Sequence, residues 1–429
     1  MSNRYRASEA ALERARRTIP LGAQTFSKSI TQYPHGVSPY FASRAKGSRI
    51  WDVDGNEYVD YVNALCAITL GYSDPDVNAA VAAQLEKGTL YSLSSELEAS
   101  VAEQIVALVP SAEMVRFGKN GSDATAGAIR VARAATARDH VLVCGYHGWQ
   151  DWYVGSTTRD KGVPAATKAL TSIFAYNDVP GFDKLLARLD GQVAAVILEP
   201  MNVQPPEPGF LEHLRERTKR EGIVLVFDET ITGFRYARGG AQELFGVTPD
   251  LTTLGKGLAN GFPLSAVCGR AGLMHEMEEV FFSFTMGGET LSLAAAGAAL
   301  SKLVREPVVE TMRQRGERVV QGLKARLATH GVERFCRVAG DPTWSFFIIG
   351  DDGDIPSYEI KTLFLQEMFA RGVLTLGSHN MSYAHSDADV DRLLAAYDAV
   401  LPILRDAVDN RAMRQYLKAE PLRPLFRVR

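Results

Sequence analysis

From residue 75 to residue 305, short apolar segments alternate with longer amphipathic ones. No other feature of the chain restricts its fold as strongly. The segments Met114–Phe117, Val141–Cys144, Ala194–Leu198, Ile223–Phe227 and Ser265–Cys268 are too short for helices and are bounded by turn residues, so they read as strands. Between them, Pro75–Lys87, Ser95–Val109, Ser122–Ala137, Val179–Leu189, Gly209–Glu221 and Thr290–Val304 carry helical periodicity. The first of these has Asp74 as an N-cap and Pro75 at the first helical position. Strand–helix alternation predicts an α/β fold with a mostly parallel sheet covered on both faces.

The flanks differ. Arg49–Tyr61, RIWDVDGNEYVDY, alternates apolar and polar residues around Asp54-Gly55 and predicts a β-hairpin. After residue 306 come a long charged helix (Val308–Thr329), a strand at Trp344–Ile349, a helix at Ser357–Arg371 and a last helix at Ala388–Val408. The expected organisation is a large domain over 63–305 and a smaller α+β domain over 306–429. The segment 1–62 is expected to pack with the smaller one.

Composition narrows the function. With 429 residues, 46% of them apolar, the chain can bury a large core. A net charge of −3 gives no basic face for nucleic acid. No apolar run reaches membrane-spanning length, and MSNRYRASEAALERARR lacks the apolar centre of a signal peptide. The cysteines Cys66, Cys144, Cys268 and Cys336 are far apart and form no CxxC pair. They read as reduced core residues of a cytoplasmic protein, with no metal site.

In an open α/β sheet, ligands sit beyond the carboxyl ends of the strands. Four loops there carry candidate chemistry. Gly118–Asp123, GKNGSD, opens a helix, and its free N–H groups suit a phosphate. An ordinary capped helix start, with Asn120 or Ser122 as cap, is the competing reading. Gly145–Trp152, GYHGWQDW, is dense in aromatics and suits a flat ligand, or else packs beneath a loop. Asp228 ends the apolar strand Ile223–Phe227 and, if buried, needs a cationic partner. Lys256 follows the apolar run Leu251–Leu254 and is flanked by Gly255 and Gly257. A lysine with small neighbours in a low-dielectric site becomes a nucleophile toward carbonyls. Each loop alone has an ordinary structural reading. Together they fit one ligand with a phosphate, an aromatic ring, a ring nitrogen and an aldehyde, which is pyridoxal 5′-phosphate (PLP).

With those residues in place, the chain resembles the class III aminotransferases of PLP fold type I, and within them the glutamate-1-semialdehyde 2,1-aminomutase branch. The resemblance runs from WDVDGNEYVDYV to YAHSDADVDRLL. Its most specific block is VFDETITGFRYARGGAQELFGVTPDLTTLGKGLANGFPLSAVCGR. It implies that Lys256 forms a Schiff base with PLP and moves the proton, while Asp228 pairs with the pyridine nitrogen. Asn120, Gly121 and Ser122 would hold the phosphate, with Tyr146 and Thr230 on opposite ring faces. Glu199 and Asn202, in LEPMN, match positions facing the cofactor. Thr285, in FTMGGE, matches a residue that reaches the phosphate of the neighbouring subunit, so the resemblance implies a homodimer.

The chain departs from the aminomutase pattern where substrate binds. Thr25 and Lys28 stand at positions of a serine and an arginine, and Leu65 stands for a tryptophan. The segment SHNMSYA lacks the acidic residue of the family's mobile loop. With these, His147, Trp149 and His379 are candidates for the substrate pocket. The departures favour ping-pong amino transfer from an amino acid donor to a separate, sugar-like carbonyl acceptor. The intramolecular aminomutase reaction is the alternative, and a non-catalytic PLP-binding regulator is an alternative of another class.

Overall fold

The computed structural model describes residues 4–423. These separate into two compact units. One comprises residues 67–69 and 75–309, and the other residues 4–66, 70–74 and 310–423.

The first unit is built on seven strands. In chain order they are β1 (Met114–Gly118), β2 (His140–Cys144), β3 (Thr171–Ile173), β4 (Val193–Leu198), β5 (Val224–Asp228), β6 (Leu251–Leu254) and β7 (Ser265–Gly269). In space they run β1-β7-β6-β5-β4-β2-β3. Every pairing is parallel except the two made by β7, which is antiparallel to β1 and β6. The central strands are buried along their whole length.

Alternate residues of those strands feed two separate cores. Val141, Val143, Ala195, Ile197 and Val226 join Ala124, Ala128, Val131 and Ala132 of helix Gly121–Thr136 on one face. Leu142, Val196, Leu198, Leu225 and Phe227 meet Phe182 and Leu186 of helix Val179–Arg188, and Phe210 and Leu214 of helix Phe210–Glu221, on the other. A strand covered on both faces has no polar side to show, which is why these segments read as continuous apolar runs. The expected α/β sheet is therefore present. It has two strands beyond the five predicted, β3 and β6.

The second unit holds two sheets. Arg49–Asp52 pairs antiparallel with Glu57–Asp60, forming the expected hairpin. Ala42–Lys46 extends it on one side, and Val373–Leu374 adds in parallel on the other. Cys336–Asp341, Trp344–Ile349 and Ser378–Asn380 form an antiparallel sheet of three strands. Helices Ser357–Ala370 and Asp387–Asp409 contribute Leu363, Phe364, Leu393 and Tyr397 to its buried interior. Cys336–Asp341 carries an arginine and two glycine-sized residues and gave no strand signal in the sequence. The four cysteines are free and buried. Among the described residues, no helix is long and apolar enough to cross a membrane.

Candidate functional site

The carboxyl ends of β1, β2, β4, β5 and β6 carry, in turn, Asn120–Ser122, Tyr146–Trp149, Glu199, Asp228 and Lys256. Parallel strands bring their carboxyl ends to one edge of the sheet, so loops far apart in sequence become neighbours.

Asp228 ends β5 and is 4% exposed. Its Oδ1 accepts the backbone N–H of Thr230 at 3.1 Å and the hydroxyls of Thr230 at 2.6 Å and Thr253 at 3.0 Å. Its Oδ2 faces His147 Nδ1 at 2.8 Å. Burial alone would raise this carboxyl. The hydrogen bond and charge of His147, together with the Thr230 donors, outweigh it and hold Asp228 below the usual carboxylate range. The product is a buried, ionised carboxylate.

Lys256 opens a short turn after β6 with φ +45°, a left-handed conformation that non-glycine residues adopt at a cost. Thr230 links this turn to the phosphate candidate. A Cβ placed on Gly255 would lie 3.1 Å from Thr230 Cγ2, and one on Gly121 would lie 3.0 Å from the same atom. Glycine at both positions lets the two turns close on Thr230 from either side.

Helix Gly121–Thr136 is capped as a capping box. Asn120 Oδ1 accepts the Ser122 N–H at 3.0 Å, and Asp123 Oδ2 accepts the Asn120 N–H at 2.9 Å. The Asn120 oxygen is thus committed to its own helix. The Ser122 hydroxyl accepts the Trp149 N–H at 3.2 Å and keeps its own proton to donate. Gly148 has φ +104°, and a Cβ there would meet Ser122 Oγ at 2.3 Å, so only glycine allows the loop after β2 to lie against the helix start.

Glu199 is buried, and its Oε2 accepts the Tyr146 N–H at 3.0 Å and the Asn202 amide at 3.2 Å. Burial, then the charge of Asp228, push its carboxyl above the usual range. Tyr146 is half-exposed, its ring meeting Tyr153 edge to face at 5.6 Å.

Several candidates lie elsewhere. His147 is 1% exposed and both its nitrogens are engaged, Nδ1 by Asp228 and Nε2 by the Cys144 carbonyl at 3.2 Å. It stands behind Asp228 and presents nothing to a substrate, contrary to expectation. His379 is fully buried between Ser345 Oγ at 3.0 Å and the Tyr397 hydroxyl at 2.8 Å, and burial pushes it down to about 3. It too has no nitrogen left for a ligand. Trp149 is 68% exposed, while Trp152 packs into the core. Thr285 is exposed. Thr25, Lys28 and Leu65 belong to the other unit and are exposed there. Leu65 sits in a run of four left-handed residues, Asn63 to Cys66, with φ from +42° to +68°. Asp60 Oδ1 anchors that run by accepting the Val62 and Asn63 N–H groups at 2.7 and 3.0 Å.

Two contributors escaped the sequence reading. Thr253 donates to Asp228, and the Thr125 hydroxyl donates to the His147 carbonyl at 2.8 Å. A threonine inside a fully buried strand needs a partner, and that was the available signal for Thr253.

These residues fit PLP. A sixteen-residue helix start with a donating serine suits the phosphate, and a half-exposed tyrosine suits the ring. An ionised buried carboxylate suits a protonated ring nitrogen, and a lysine on an adjacent strand end suits the aldehyde.

Comparison with known proteins agrees. The aminotransferase class-III profile matches residues 31–384. A glutamate-1-semialdehyde 2,1-aminomutase of Syntrophobacter fumaroxidans is 36% identical over 91% of this chain and 96% of its own length. An omega-transaminase from Sphaerobacter thermophilus superposes with a TM-score of 0.84 at 30% identity, covering 94% of this chain and 100% of that one. The FumI protein of Sphingopyxis sp. MTA144, solved in its PLP internal aldimine form, does so with a TM-score of 0.86 at 30% identity, covering 96% and 98%. The chain belongs to the class-III aminotransferases and is a PLP-dependent enzyme of fold type I.

Proposed function

We propose that this chain moves an amino group between two carbons of one substrate, as the glutamate-1-semialdehyde 2,1-aminomutases do. The observation that carries the chemistry is that an ionised Asp228 and Lys256 follow adjacent strands, with Thr230, bonded to Asp228, lying against Gly255 beside the lysine. The 36% identity to an aminomutase over 91% of this chain supports the intramolecular reaction, which we prefer to the sugar-like acceptor that the substitutions alone suggested.

Bound PLP supplies an aldehyde carbon that takes up the amino group and a ring that accepts electrons. The protein's own residues do the rest. The Ser122 hydroxyl and the amides at Gly121 hold the phosphate against the helix start. Asp228 holds a proton at the ring nitrogen, and its charge is favourable there because the carboxylate is buried. Tyr146 covers one ring face and Thr230 the other. Glu199 and Asn202 fix Tyr146 through its backbone N–H. Lys256 Nζ would hold the aldehyde carbon of the cofactor and, once displaced from it, would carry a proton between the substrate carbon bearing the amino group and that cofactor carbon. A homodimer in which Thr285 reaches the neighbouring phosphate completes the reading.

A second reading is intermolecular transfer to a separate carbonyl acceptor. Thr25, Lys28 and Leu65 favour it, because each replaces an aminomutase residue suited to that substrate. One experiment separates the two. Holoenzyme given glutamate 1-semialdehyde alone is expected to return the isomer with the amino group on C1. Turnover only when an amino acid and a second carbonyl compound are both present would establish the second reading. Lys256→Ala is expected to abolish turnover and the visible absorbance of lysine-bound cofactor. Retained turnover in that variant refutes both readings.

A further inference from the structure

The segment from Phe281 to Glu289 is fixed at both ends to the element that carries the phosphate candidate. At its start, Arg130 Nη1 donates to the Phe281 carbonyl at 3.1 Å and Arg116 Nη2 to the Phe282 carbonyl at 3.3 Å. Arg116 belongs to β1 and Arg130 to helix Gly121–Thr136. The Phe282 ring lies where glycine leaves room, since a Cβ on Gly118 would be 3.4 Å from it and one on Gly127 2.9 Å. At the other end, Lys119 Nζ donates to Glu289 Oε2 at 2.9 Å. Lys119 directly precedes Asn120, and its own N–H is bonded to Asp123 Oδ2 at 3.0 Å, within the cap of the phosphate helix. Between the two ends, Thr285, Met286 and Gly287 are exposed. Among the described residues, no hydrogen bond engages the Thr285 hydroxyl.

The pair of Lys119 and Glu289 exceeds what the local fold requires. Glu289 caps helix Thr290–Arg305, its Oε1 accepting the Leu291 N–H at 2.7 Å and its Oε2 the Ser292 N–H at 3.2 Å and hydroxyl at 2.6 Å. Serine, threonine, aspartate or asparagine is the usual residue for that task. The longer glutamate caps the helix and still meets the lysine. Both side chains are largely withdrawn from water, 18% and 17% exposed, so the pair is screened less than a surface one. Burial alone would raise the Glu289 carboxyl. The Ser292 and Lys119 bonds outweigh it and hold Glu289 below the usual carboxylate range.

We propose that Lys119 and Glu289 are positioning residues that lock Thr285 to the phosphate turn of their own subunit, so that the two cofactor sites of a homodimer are set together. The inference rests on the reading that Thr285 reaches the neighbouring subunit's phosphate. Each protomer then grips its own phosphate at Asn120–Ser122 and its partner's through Thr285, and one ion pair keeps the two grips in register. The pair acts through Thr285 and not on the phosphate itself.

The test returns PLP to the full-length protein freed of it. Affinity is read from the visible absorbance of lysine-bound cofactor, with a melting curve alongside. Lys119→Met and Glu289→Gln are each expected to weaken PLP by about tenfold, and the double variant no further than either, because both break one link. Lys119→Arg keeps the charge and should stay within about threefold of the parent. Thr285→Val should weaken PLP by a similar factor to the broken pair, and adding Glu289→Gln to it should cost nothing more. A pair acting on the phosphate through its charges predicts the opposite sign for Glu289→Gln, since losing a negative charge beside a dianion tightens binding. Tighter binding in that variant overturns the proposal. So does a lower melting temperature with unmoved affinity, the mark of a merely structural pair. Weakening in Thr285→Val without weakening in the Lys119 and Glu289 variants removes the inference and leaves the reach across the interface standing. Affinity unmoved in Thr285→Val removes both. Should one of the single variants misfold, the other decides together with Lys119→Arg.

Discussion

Replacing His147 with phenylalanine tests how the site keeps Asp228 ionised. The ring packs 5.3 Å from Tyr153 and 6.5 Å from Trp152, contacts that phenylalanine preserves. What disappears is the 2.8 Å bond to Asp228 Oδ2 and the 3.2 Å bond to the Cys144 carbonyl. A hydrogen bond to a charged group contributes about 1.5–3 kcal/mol. The His147 bond heads the influences that lower Asp228, opposing burial. Its loss should reduce kcat/KM by roughly 10- to 100-fold, the rate equivalent of that energy. A purely structural residue would lower the melting temperature and leave the pH profile alone. The acid limb distinguishes the two. In the parent protein Asp228 stays charged until pH falls through its depressed folded value. Without His147 that value rises, so the acid limb of kcat/KM moves to higher pH. Rate profiles from pH 4 to 9 and a melting curve are the assays. A variant that melts lower yet keeps kcat/KM within about twofold, with an unmoved acid limb, refutes the reasoning.

Two further substitutions probe backbone geometry. Gly148→Ala would set a Cβ 2.3 Å from Ser122 Oγ at φ +104°, displacing the hydroxyl that is proposed to hold phosphate. Cofactor retention on dialysis, read by visible absorbance, should weaken by about tenfold or more, the equivalent of one lost hydrogen bond plus strain. Undiminished retention would remove Ser122 from the phosphate site. Ala64→Gly should stabilise the other unit, because Ala64 is exposed and held at φ +47°. Relief of about 1–2 kcal/mol of left-handed strain exceeds the added chain entropy of about 0.5–1 kcal/mol. A melting temperature lower than the parent's would contradict this.

How much the sequence disclosed follows from where each strand sits. β2, β4 and β5 are buried on both faces and read as almost continuous apolar runs, so their positions were recovered to within a residue or two. β3 is a partly buried edge strand of three residues, too short to carry a pattern. β6 hides two threonines in its middle, and these spend their hydroxyls on Asp228 and Ser111 rather than on water. The site residues at strand ends were legible by type, since a lysine between glycines or an aspartate closing an apolar strand needs an explanation. Their partners were not. β2 and β5 are separated by β4 in the sheet, so the contact between His147 and Asp228 crosses about 10 Å of strand spacing that no sequence interval encodes. His147 and His379 were both assigned to the pocket from the segments that carry them, GYHGWQDW and SHNMSYA, and both proved to be fully bonded interior residues.

The two buried acids of the site make the same point about partners, and they yield a test. Asp228 and Glu199 stand close enough that the charge of one raises the other. Two like charges on neighbouring buried acids disfavour one another, and the proton is held more firmly where donors are fewer. Asp228 has four hydrogen bonds from His147, Thr230 and Thr253, whereas Glu199 has two, both on one oxygen. Asp228 therefore keeps its charge to lower pH, and Glu199 is the acid that holds its proton to higher pH. A neutral isostere should suit one position and ruin the other. Glu199→Gln can still accept from Tyr146 and Asn202, and kcat/KM should stay within about fivefold. Asp228→Asn loses the charge at the ring nitrogen and sets an amide against hydroxyl donors, a loss of about 3 kcal/mol or more, or upward of 100-fold. Stability supplies an independent sign. A carboxyl raised by folding stabilises the protein below its unfolded value of about 4.3, and that contribution is lost as pH rises through the raised one. The melting temperature of Glu199→Gln relative to the parent should therefore climb as pH increases from about 4, until the raised carboxyl has ionised. If Glu199→Gln proves as inactive as Asp228→Asn, and the difference in melting temperature is flat with pH, the proton has been placed on the wrong acid.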